Sequence, residues 1–338
     1  MPCRLPASML FPMTFAGVIP ILPTPFHDDE TLDLDSWRRL LEFMVGLGVD
    51  GVTILGVLGE SNRLSDQERE RLIEAAVETV KQRIPIIVGT SHSGTHAAAH
   101  LSRRAQDLGA SAVMVTPAKE AVPNDDRILE LYRRIGEEIS IPIVLQDHPA
   151  SSDVHQSVDL ILRVLRHVPS VACVKEEAVP TAGKIRQLRE APGDRRIPIL
   201  TGLGALYAPF DLEAGSDGFN TGFAFPEILQ EMVSAARNGD WPRVHDLYSR
   251  FAALIVFEQQ PGLAIRKELF RRRGLLTSAR VRHPGATASP AQSRQLDALL
   301  TRTLADADIT LPIASDNVLS SRHSAGTSRA TARLSQPH

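Results

Sequence analysis

A lysine at the end of an apolar run is the residue of this sequence best suited to covalent chemistry. Lys175 follows the apolar residues 171–174 and precedes Glu176 and Glu177. Burial at such a place lowers the pKa of a lysine amine and makes its neutral, nucleophilic form available. A neutral amine attacks a ketone to give an imine, which accepts electrons when a C–C or C–O bond breaks. The alternative is a structural lysine that forms an ion pair with Glu176 or Glu177.

The elements that would position Lys175 follow from a repeated alternation along the chain. Short apolar runs, rich in valine and isoleucine, alternate with longer amphipathic stretches. The runs predict eight strands, at residues 17–22, 51–55, 85–88, 112–116, 142–145, 171–174, 198–201 and 218–221. Strands that lack polar alternation are buried on both faces, as in a parallel sheet covered by helices. Eight such units predict a (β/α)8 barrel. An open doubly wound sheet is the alternative, but no Gly-x-Gly-x-x-Gly turn follows the first strand.

Helices are predicted between the strands and after the last one. Residues 66–81 form the clearest helix, because Ser65 and Glu68 make a capping box at its start. Four helices are predicted after the eighth strand, at residues 226–238, 242–257, 262–273 and 290–304. The predicted organisation is an N-terminal extension at 1–16, the barrel at 17–225, a helical region at 226–304 and a disordered tail at 305–338.

The composition is that of an ordinary globular protein. The formal net charge is −3 and 23% of the residues are charged, so no nucleic-acid or membrane partner is indicated. The two cysteines, Cys3 and Cys173, match no metal or redox spacing, and a cytoplasmic location is expected. The apolar run within residues 1–17 is too short for a signal peptide or a membrane span, and proline interrupts it.

Several motifs, taken in order, resemble those of the dihydrodipicolinate synthase / N-acetylneuraminate lyase family. They are Pro20-Ile-Leu-Pro-Thr-Pro-Phe26, Gly56-x-x-Gly59-Glu60, Pro85-Ile-Ile-Val-Gly89, Thr116-Pro117, Pro142-Ile-Val-Leu145, Val174-Lys175-Glu176, Gly215-x-Asp217-Gly218 and Lys267. The resemblance spans residues 17–282. It implies a (β/α)8 barrel, a Schiff-base lysine at Lys175, a 2-keto acid substrate, no cofactor or metal ion, and a homotetramer.

The sequence departs from the pattern of this family at several places, and two of them bear directly on the chemistry. The family's second strand is usually followed by Gly-Thr-Thr-Gly-Glu, but Val57 and Leu58 replace the two threonines here. The family's fifth strand usually ends in a tyrosine that moves protons to the imine, and the matching residue here is Gln146. A glutamine cannot act as a general acid or base at neutral pH. A water held by Gln146, or the side chain of Asp147, His148 or His92, would have to move protons instead.

Because strand ends meet at one mouth of a barrel, the residues that follow the strands are the candidate site. The predicted catalytic residues are Lys175, Gln146, Asp147 and His148. The predicted substrate-binding residues are Gly56, Val57, Leu58, Gly59, His92, Gly202 and Asn220. The amides at Gly56 and Gly59 are expected to hold a carboxylate, and Asn220 replaces an apolar family residue, which suits a substrate with hydroxyl groups.

The resemblance and the departures together predict a Schiff-base lyase that acts as a dehydratase or aldolase on a 2-keto-3-deoxy sugar acid. One alternative is a synthase that condenses pyruvate with an aldehyde. Another is a non-catalytic barrel that only binds a keto acid. A metal-dependent hydrolase is disfavoured, because residues 23–25 offer no His-x-His pair at the first strand.

Overall fold

The computed structural model describes residues 13–120, 124–192, 196–260, 262–304, 307–316, 318 and 319. Most of the predicted N-terminal extension, and the predicted tail beyond residue 319, lie outside the described residues.

Eight short parallel strands form the centre of the molecule. They are β1 (Gly17–Val18), β2 (Val52–Ile54), β3 (Ile86–Gly89), β4 (Ala112–Val115), β5 (Ile143–Asp147), β6 (Val171–Glu176), β7 (Ile199–Thr201) and β8 (Gly218–Phe219). From β2 to β8 each strand pairs with its neighbour in chain order, and β1 pairs with β8. A parallel bridge from Ile21, which lies just after β1, to Thr53 of β2 closes the ring. The predicted (β/α)8 barrel is therefore confirmed.

Twelve helices follow the strands or extend the barrel among the described residues. They are α1 (Leu34–Gly46), α2 (Asp66–Val80), α3 (Thr95–Asp107), α4 (Asp125–Glu138), α5 (Pro149–Ser152), α6 (Val158–His167), α7 (Thr181–Glu190), α8 (Ala208–Glu213), α9 (Pro226–Arg237), α10 (Trp241–Gln259), α11 (Leu263–Arg272) and α12 (Pro290–Leu304). The capping box expected at α2 is present, with Ser65 accepting a hydrogen bond from the amide of Glu68. All four helices predicted after the eighth strand are found.

Eight buried apolar side chains form a cluster inside the barrel. Phe15 and Ile19 flank β1, and the others lie on β3 to β7: Ile87, Ala112, Met114, Val144, Cys173 and Leu200. A larger apolar cluster lies between the strands and the helices. Because both strand faces pack against apolar residues, the strands show the continuous apolar runs from which they were predicted.

The helices after β8 differ from the predicted organisation in two respects. α9 packs against β1 and thus serves as the eighth helix of the barrel, so the additional helices begin with α10. Within the predicted tail, the amide of Ile313 donates to Glu227 (3.1 Å), and Arg243 donates to Ser315 (2.8 Å). Part of the segment predicted to be disordered is therefore held against the helices by buried polar contacts.

No helix among the described residues is long and apolar enough to cross a membrane.

The closure between β1 and β8 predicts a sensitive glycine. A Cβ atom at Gly218 would lie 1.9 Å from the carbonyl oxygen of Gly17, whereas a Cβ at Gly183 in α7 would meet nothing within 4 Å. We expect Gly218→Ala to lower the unfolding free energy by about 1–3 kcal/mol, as overpacking does. Gly183→Ala should leave it unchanged or raise it slightly, because alanine favours helices. Thermal unfolding of both variants tests this, and equal melting temperatures would contradict it.

Candidate active site

Lys175 lies at the mouth of the barrel, next to Gln146 on the neighbouring strand. Lys175 in β6 and Gln146 in β5 are register partners. The interior residue Cys173 precedes Lys175 by two positions, and successive side chains of a strand alternate between its faces, so Lys175 also points inward. The side chain of Lys175 is only 1% exposed. The strand thus presents a buried amine at the place where a barrel holds its substrate.

The carboxylate of Glu177 binds both residues and completes the centre of the site. One oxygen, Oε2, lies 3.1 Å from Lys175 Nζ and accepts a hydrogen bond from Gln146 Nε2 (2.7 Å). The other oxygen, Oε1, accepts from the amide of Leu203 (3.1 Å). A Cβ at Gly202 would lie 1.9 Å from this Oε1, so Gly202 makes room for the carboxylate. Glu177 is therefore held from three directions beside the amine.

Burial and charge set the protonation states of the two groups. Burial lowers the pKa of the Lys175 amine, although the Glu177 carboxylate acts in the opposite direction. Burial alone would raise the pKa of Glu177, but Lys175, His148 and the hydrogen bonds from Gln146 and Leu203 hold it below its ordinary value. The site thus combines an amine that loses its proton more readily with a carboxylate that stays ionised.

Asp147 and Glu176 lie on the opposite face of the same two strands. Lys184 of α7 donates to Asp147 Oδ2, and its Nζ is 3.7 Å from Glu176 Oε2. Gln156 donates to the carbonyl of Gln146 (3.0 Å). Burial, and then the neighbouring Asp147, raise the pKa of Glu176 to about 9. The structure does not bring Asp147 to the amine of Lys175, because the alternation of side chains along β5 turns it toward the helices.

The two predicted histidines differ in their distance from this centre. His148 is partly buried, and its Nδ1 lies 2.5 Å from Ser151 Oγ. Burial lowers the pKa of His148, while the charge on Glu177 opposes the change and that on Lys175 adds to it. His92 is exposed, and its Nδ1 accepts a hydrogen bond from the amide of Gly94 (2.9 Å). His148 therefore borders the site, whereas His92 is engaged in its own loop.

A short 3-10 turn follows β2 and carries four of the predicted binding residues. The amide of Gly59 donates to the carbonyl of Gly56 (2.9 Å), so it is not available to a ligand as predicted. The amides of Val57 and Leu58 have no hydrogen-bond partner within the described part of the chain. The first amides of a helical turn are the usual donors to an anion. The candidate carboxylate site thus moves from the glycines to Val57 and Leu58.

Asn220 lies inside the barrel, as a binding residue would. Its Nδ2 donates to Thr53 Oγ1 (2.9 Å), and the residue is fully buried. Its Oδ1 is buried and has no hydrogen-bond partner among the residues the structure describes. A buried acceptor without a partner costs free energy unless water or a ligand satisfies it.

A comparison with protein families gives the lineage of this fold and site. Residues 14–303 match the model of the dihydrodipicolinate synthetase family. The chain belongs to this family. A protein of Azospirillum brasilense named L-2-keto-3-deoxyarabonate dehydratase is 38% identical over 301 residues, covering 85% of this chain and 96% of the relative. A 4-hydroxy-tetrahydrodipicolinate synthase of Methanothrix thermoacetophila is 32% identical over 243 residues, covering 71% and 81%.

Solved structures agree with the family match. The crystal structure named dihydrodipicolinate synthase from Rhodopseudomonas palustris superimposes with a TM-score of 0.81 at 36% identity, covering 85% of this chain and 97% of that one. The predictions of this family, and of an enzyme of the lyase class, are confirmed. The structure shows what Gln146 does at the position of the family's tyrosine. Its side chain donates a hydrogen bond to the carboxylate of Glu177.

Glu177 is a functional candidate that was not among the site residues predicted from the sequence, where it appeared only as a possible ion-pair partner of Lys175. Successive side chains of a strand point to opposite faces, and this rule identifies Glu177 from the sequence. If Lys175 points inward, Glu176 lies on the outer face and Glu177 on the inner face. The same alternation separates Gln146 from Asp147.

Among the described residues, no group of three or more His, Cys, Asp and Glu side chains could hold a metal ion.

The geometry predicts how pH governs reaction of the amine. The Glu177 carboxylate favours the charged form of Lys175, so Glu177→Gln should lower the pKa of the amine further. Imine formation with pyruvate, trapped with cyanoborohydride over a pH series, should then reach half its maximal rate at a lower pH than in the unchanged protein. Asp153→Asn removes an exposed carboxylate that pairs with Lys119, and it serves as the control. A profile that moves equally in both variants, or in neither, would contradict the assignment.

The outer cluster predicts a loss of stability rather than of chemistry. Lys184→Met would leave Asp147 buried without its cation, and breaking a buried ion pair costs about 3–5 kcal/mol. Lys119→Met removes an exposed pair and should cost less than about 1 kcal/mol. Urea unfolding measures both, and the adduct on Lys175 should still form in folded Lys184→Met. Equal stabilities of the two variants would show that the outer cluster contributes nothing.

Proposed function

We propose that this protein removes water from a 2-keto-3-deoxy sugar acid through an imine on Lys175. The observation that carries the proposal is the ionised Glu177 carboxylate, 3.1 Å from Lys175 Nζ, in a site that has glutamine in place of the family's tyrosine. A carboxylate so close to the imine nitrogen is within reach of the carbon next to the imine. The 38% identical relative named as a dehydratase supports the same reaction class.

The amine and the carboxylate divide the chemistry between them. The neutral amine of Lys175 adds to the C2 ketone to give a carbinolamine, which loses water to give an imine, and the imine nitrogen takes up one proton from solvent. The Glu177 carboxylate then takes a proton from C3, and the electron pair of that C–H bond moves into the imine to give an enamine. When the enamine electrons return, the C4–O bond breaks, and the hydroxyl leaves as water with the proton from Glu177. Hydrolysis of the imine frees Lys175 and the dehydrated keto acid.

The other residues bind and orient the substrate in this proposal. The amides of Val57 and Leu58 hold the C1 carboxylate, in the place of the threonine hydroxyls usual in the family. Gln146 and Gly202 keep Glu177 in position, and Asn220 accepts a hydrogen bond from a substrate hydroxyl through its unpartnered Oδ1. His148 borders the site and can hold a water molecule. His92 is exposed in its own loop, so it has no part in the proton transfer.

Aldol cleavage and synthase condensation would use the same imine. They differ in which bond the pocket aligns with the imine's electron system.

The predicted partners are a small 2-keto acid and further copies of the chain. We propose a homotetramer, in line with the oligomers expected for this family.

A trapping experiment tests the imine. The protein is incubated with pyruvate or a 2-keto-3-deoxypentonate, then reduced with borohydride, and the adduct is located by mass spectrometry. We expect the adduct on Lys175 and none in Lys175→Arg, because a guanidinium stays charged and does not add to ketones. An unmodified Lys175 in folded protein would reject the lyase proposal and favour a barrel that only binds a keto acid.

The carboxylate is tested by separating imine formation from turnover. Glu177→Gln should still give the pyruvate adduct, while the kcat for dehydration falls by about 10²–10⁴-fold, the contribution of a general acid–base group. Glu190→Gln changes a helix-surface carboxylate outside the site and is the control. A variant Glu177→Gln that dehydrates at the normal rate would assign the proton transfer to another residue.

A further inference from the structure

A buried arginine of α11 lies across the ends of two strands at the mouth of the barrel. Arg266 is 2% exposed, and its Nε donates to Glu258 Oε2 of α10 at 3.0 Å. Glu258 is itself fully buried, and its Oε1 accepts from the amide of Ala224 (3.3 Å). The ion pair thus fixes the guanidinium from the side of the additional helices.

Two glycines show where the free end of the guanidinium lies. A Cβ at Gly222, just after β8, would be 3.1 Å from Arg266 Nη1. A Cβ at Gly204, just after β7, would be 3.6 Å from Nη2. The side chain of Leu58, from the turn after β2, lies over the same Gly222. The guanidinium therefore faces the region that is bounded by the ends of β7, β8 and β2.

This region is continuous with the site around Lys175. Gly204 belongs to the same turn as Gly202 and Leu203, which make room for the Glu177 carboxylate and bind it. The turn is held in a left-handed conformation, with φ of 51° at Leu203 and 65° at Ala205. Non-glycine residues adopt such angles at a cost, and they persist where the surrounding structure requires them. This turn thus binds Glu177 at its start and lies beside Arg266 near its end.

Arg266 has hydrogen-bond donors that the protein does not use. A guanidinium has five N–H groups, and only the Nε–H has a partner among the described residues. The terminal nitrogens Nη1 and Nη2 make no hydrogen bond with the described residues, and neither atom is completely enclosed by protein. An almost buried pair of donors that still reaches open space is an arrangement that suits a ligand oxygen.

The charge of the pair indicates which ligand oxygen this is. Glu258 already balances the positive charge of Arg266, so the free end is a donor fork within an overall neutral pair. The amides at Val57 and Leu58 provide a separate place for the substrate carboxylate. Because the pair is already neutral, the free donors suit the uncharged hydroxyl oxygens of the substrate chain rather than a second carboxylate.

We propose that Arg266 binds the hydroxyl-bearing end of the keto acid and selects sugar acids over pyruvate. The inference rests on the proposed function for the identity of the substrate. Arg266 touches the substrate without taking part in proton transfer, so it governs affinity more than the rate of bond breaking. Pyruvate, which has a carboxylate and a ketone but no hydroxyl end, is then the natural reference ligand.

The test compares Arg266→Met with Arg271→Met, a change of an exposed arginine on the same helix that pairs with Glu268. We measure the pyruvate concentration that half-saturates trapping of Lys175, and the concentration of a 2-keto-3-deoxypentonate that protects against this trapping. Arg266→Met should weaken protection about tenfold to a hundredfold, as the loss of charged hydrogen bonds does. The pyruvate half-saturation should stay within about twofold, and KM should change more than kcat.

A second variant keeps the test valid if Glu258 cannot remain buried alone. Arg266→Met combined with Glu258→Gln removes both charges and retains an acceptor for the amide of Ala224. Arg266→Lys, which keeps a charge and donors, should recover part of the affinity for the sugar acid. Melting temperatures show which variants are folded.

The remaining outcomes would reject either the role of Arg266 or the proposed dehydratase function. Equal weakening of pyruvate and sugar-acid binding would place Arg266 at the carboxylate and overturn the inference, as would unchanged protection in a folded variant. Protection without turnover in the unchanged protein would reject the dehydratase function and leave Arg266 to be judged by protection alone. Absence of both protection and turnover would reject both.

Discussion

The buried ion pair between Lys175 and Glu177 is the constraint on which the site depends. Removing two charges from water is expensive, and their attraction compensates only if further hydrogen bonds complete the pair. Gln146 and the amide of Leu203 supply these bonds, at 2.7 and 3.1 Å. Gly202 is required because any side chain there would occupy the place of the carboxylate. Three strands, β5, β6 and β7, thus each contribute to one pair of charges.

The same strands carry a second polar cluster on their outer face. Asp147 and Glu176 alternate with the residues of the active site and meet Lys184 and Gln156 from the helical layer. Burial, and then the neighbouring Asp147, raise the pKa of Glu176 to about 9, so this carboxyl group resists ionisation beside the contact between Lys184 and Asp147. Such a closed arrangement ties β5 and β6 to α7, and it thereby fixes the position of the candidate catalytic residues that alternate with this cluster along the two strands.

The additional helices hold the other side of the mouth. Lys267 of α11 is buried, donates to Glu60 and lies 4.4 Å from the centre of the Phe26 ring. Glu60 also binds Arg63 (2.7 Å) and adopts a left-handed backbone with φ of 54°. The turn that offers the amides of Val57 and Leu58 is thereby anchored to α11. Arg266 lies beside Leu58 and Lys267 binds Glu60, so adjacent residues of α11 reach the same turn after β2. α11 therefore belongs to the site as much as to the fold.

The amino-acid sequence by itself determined the barrel, the family and the lysine that is the candidate for imine formation. Apolar runs record burial on both faces of each strand, the capping box at Ser65 records a helix start, and Lys175 ends an apolar run. These features are local and need no knowledge of distant residues. Only the tertiary structure decided that Glu177 rather than Asp147 meets the amine, that Gly59 is bound within its own turn, and that Arg266 reaches the mouth. Each of these depends on which face of a strand, or which side of a packed helix, comes together with residues far away in the chain.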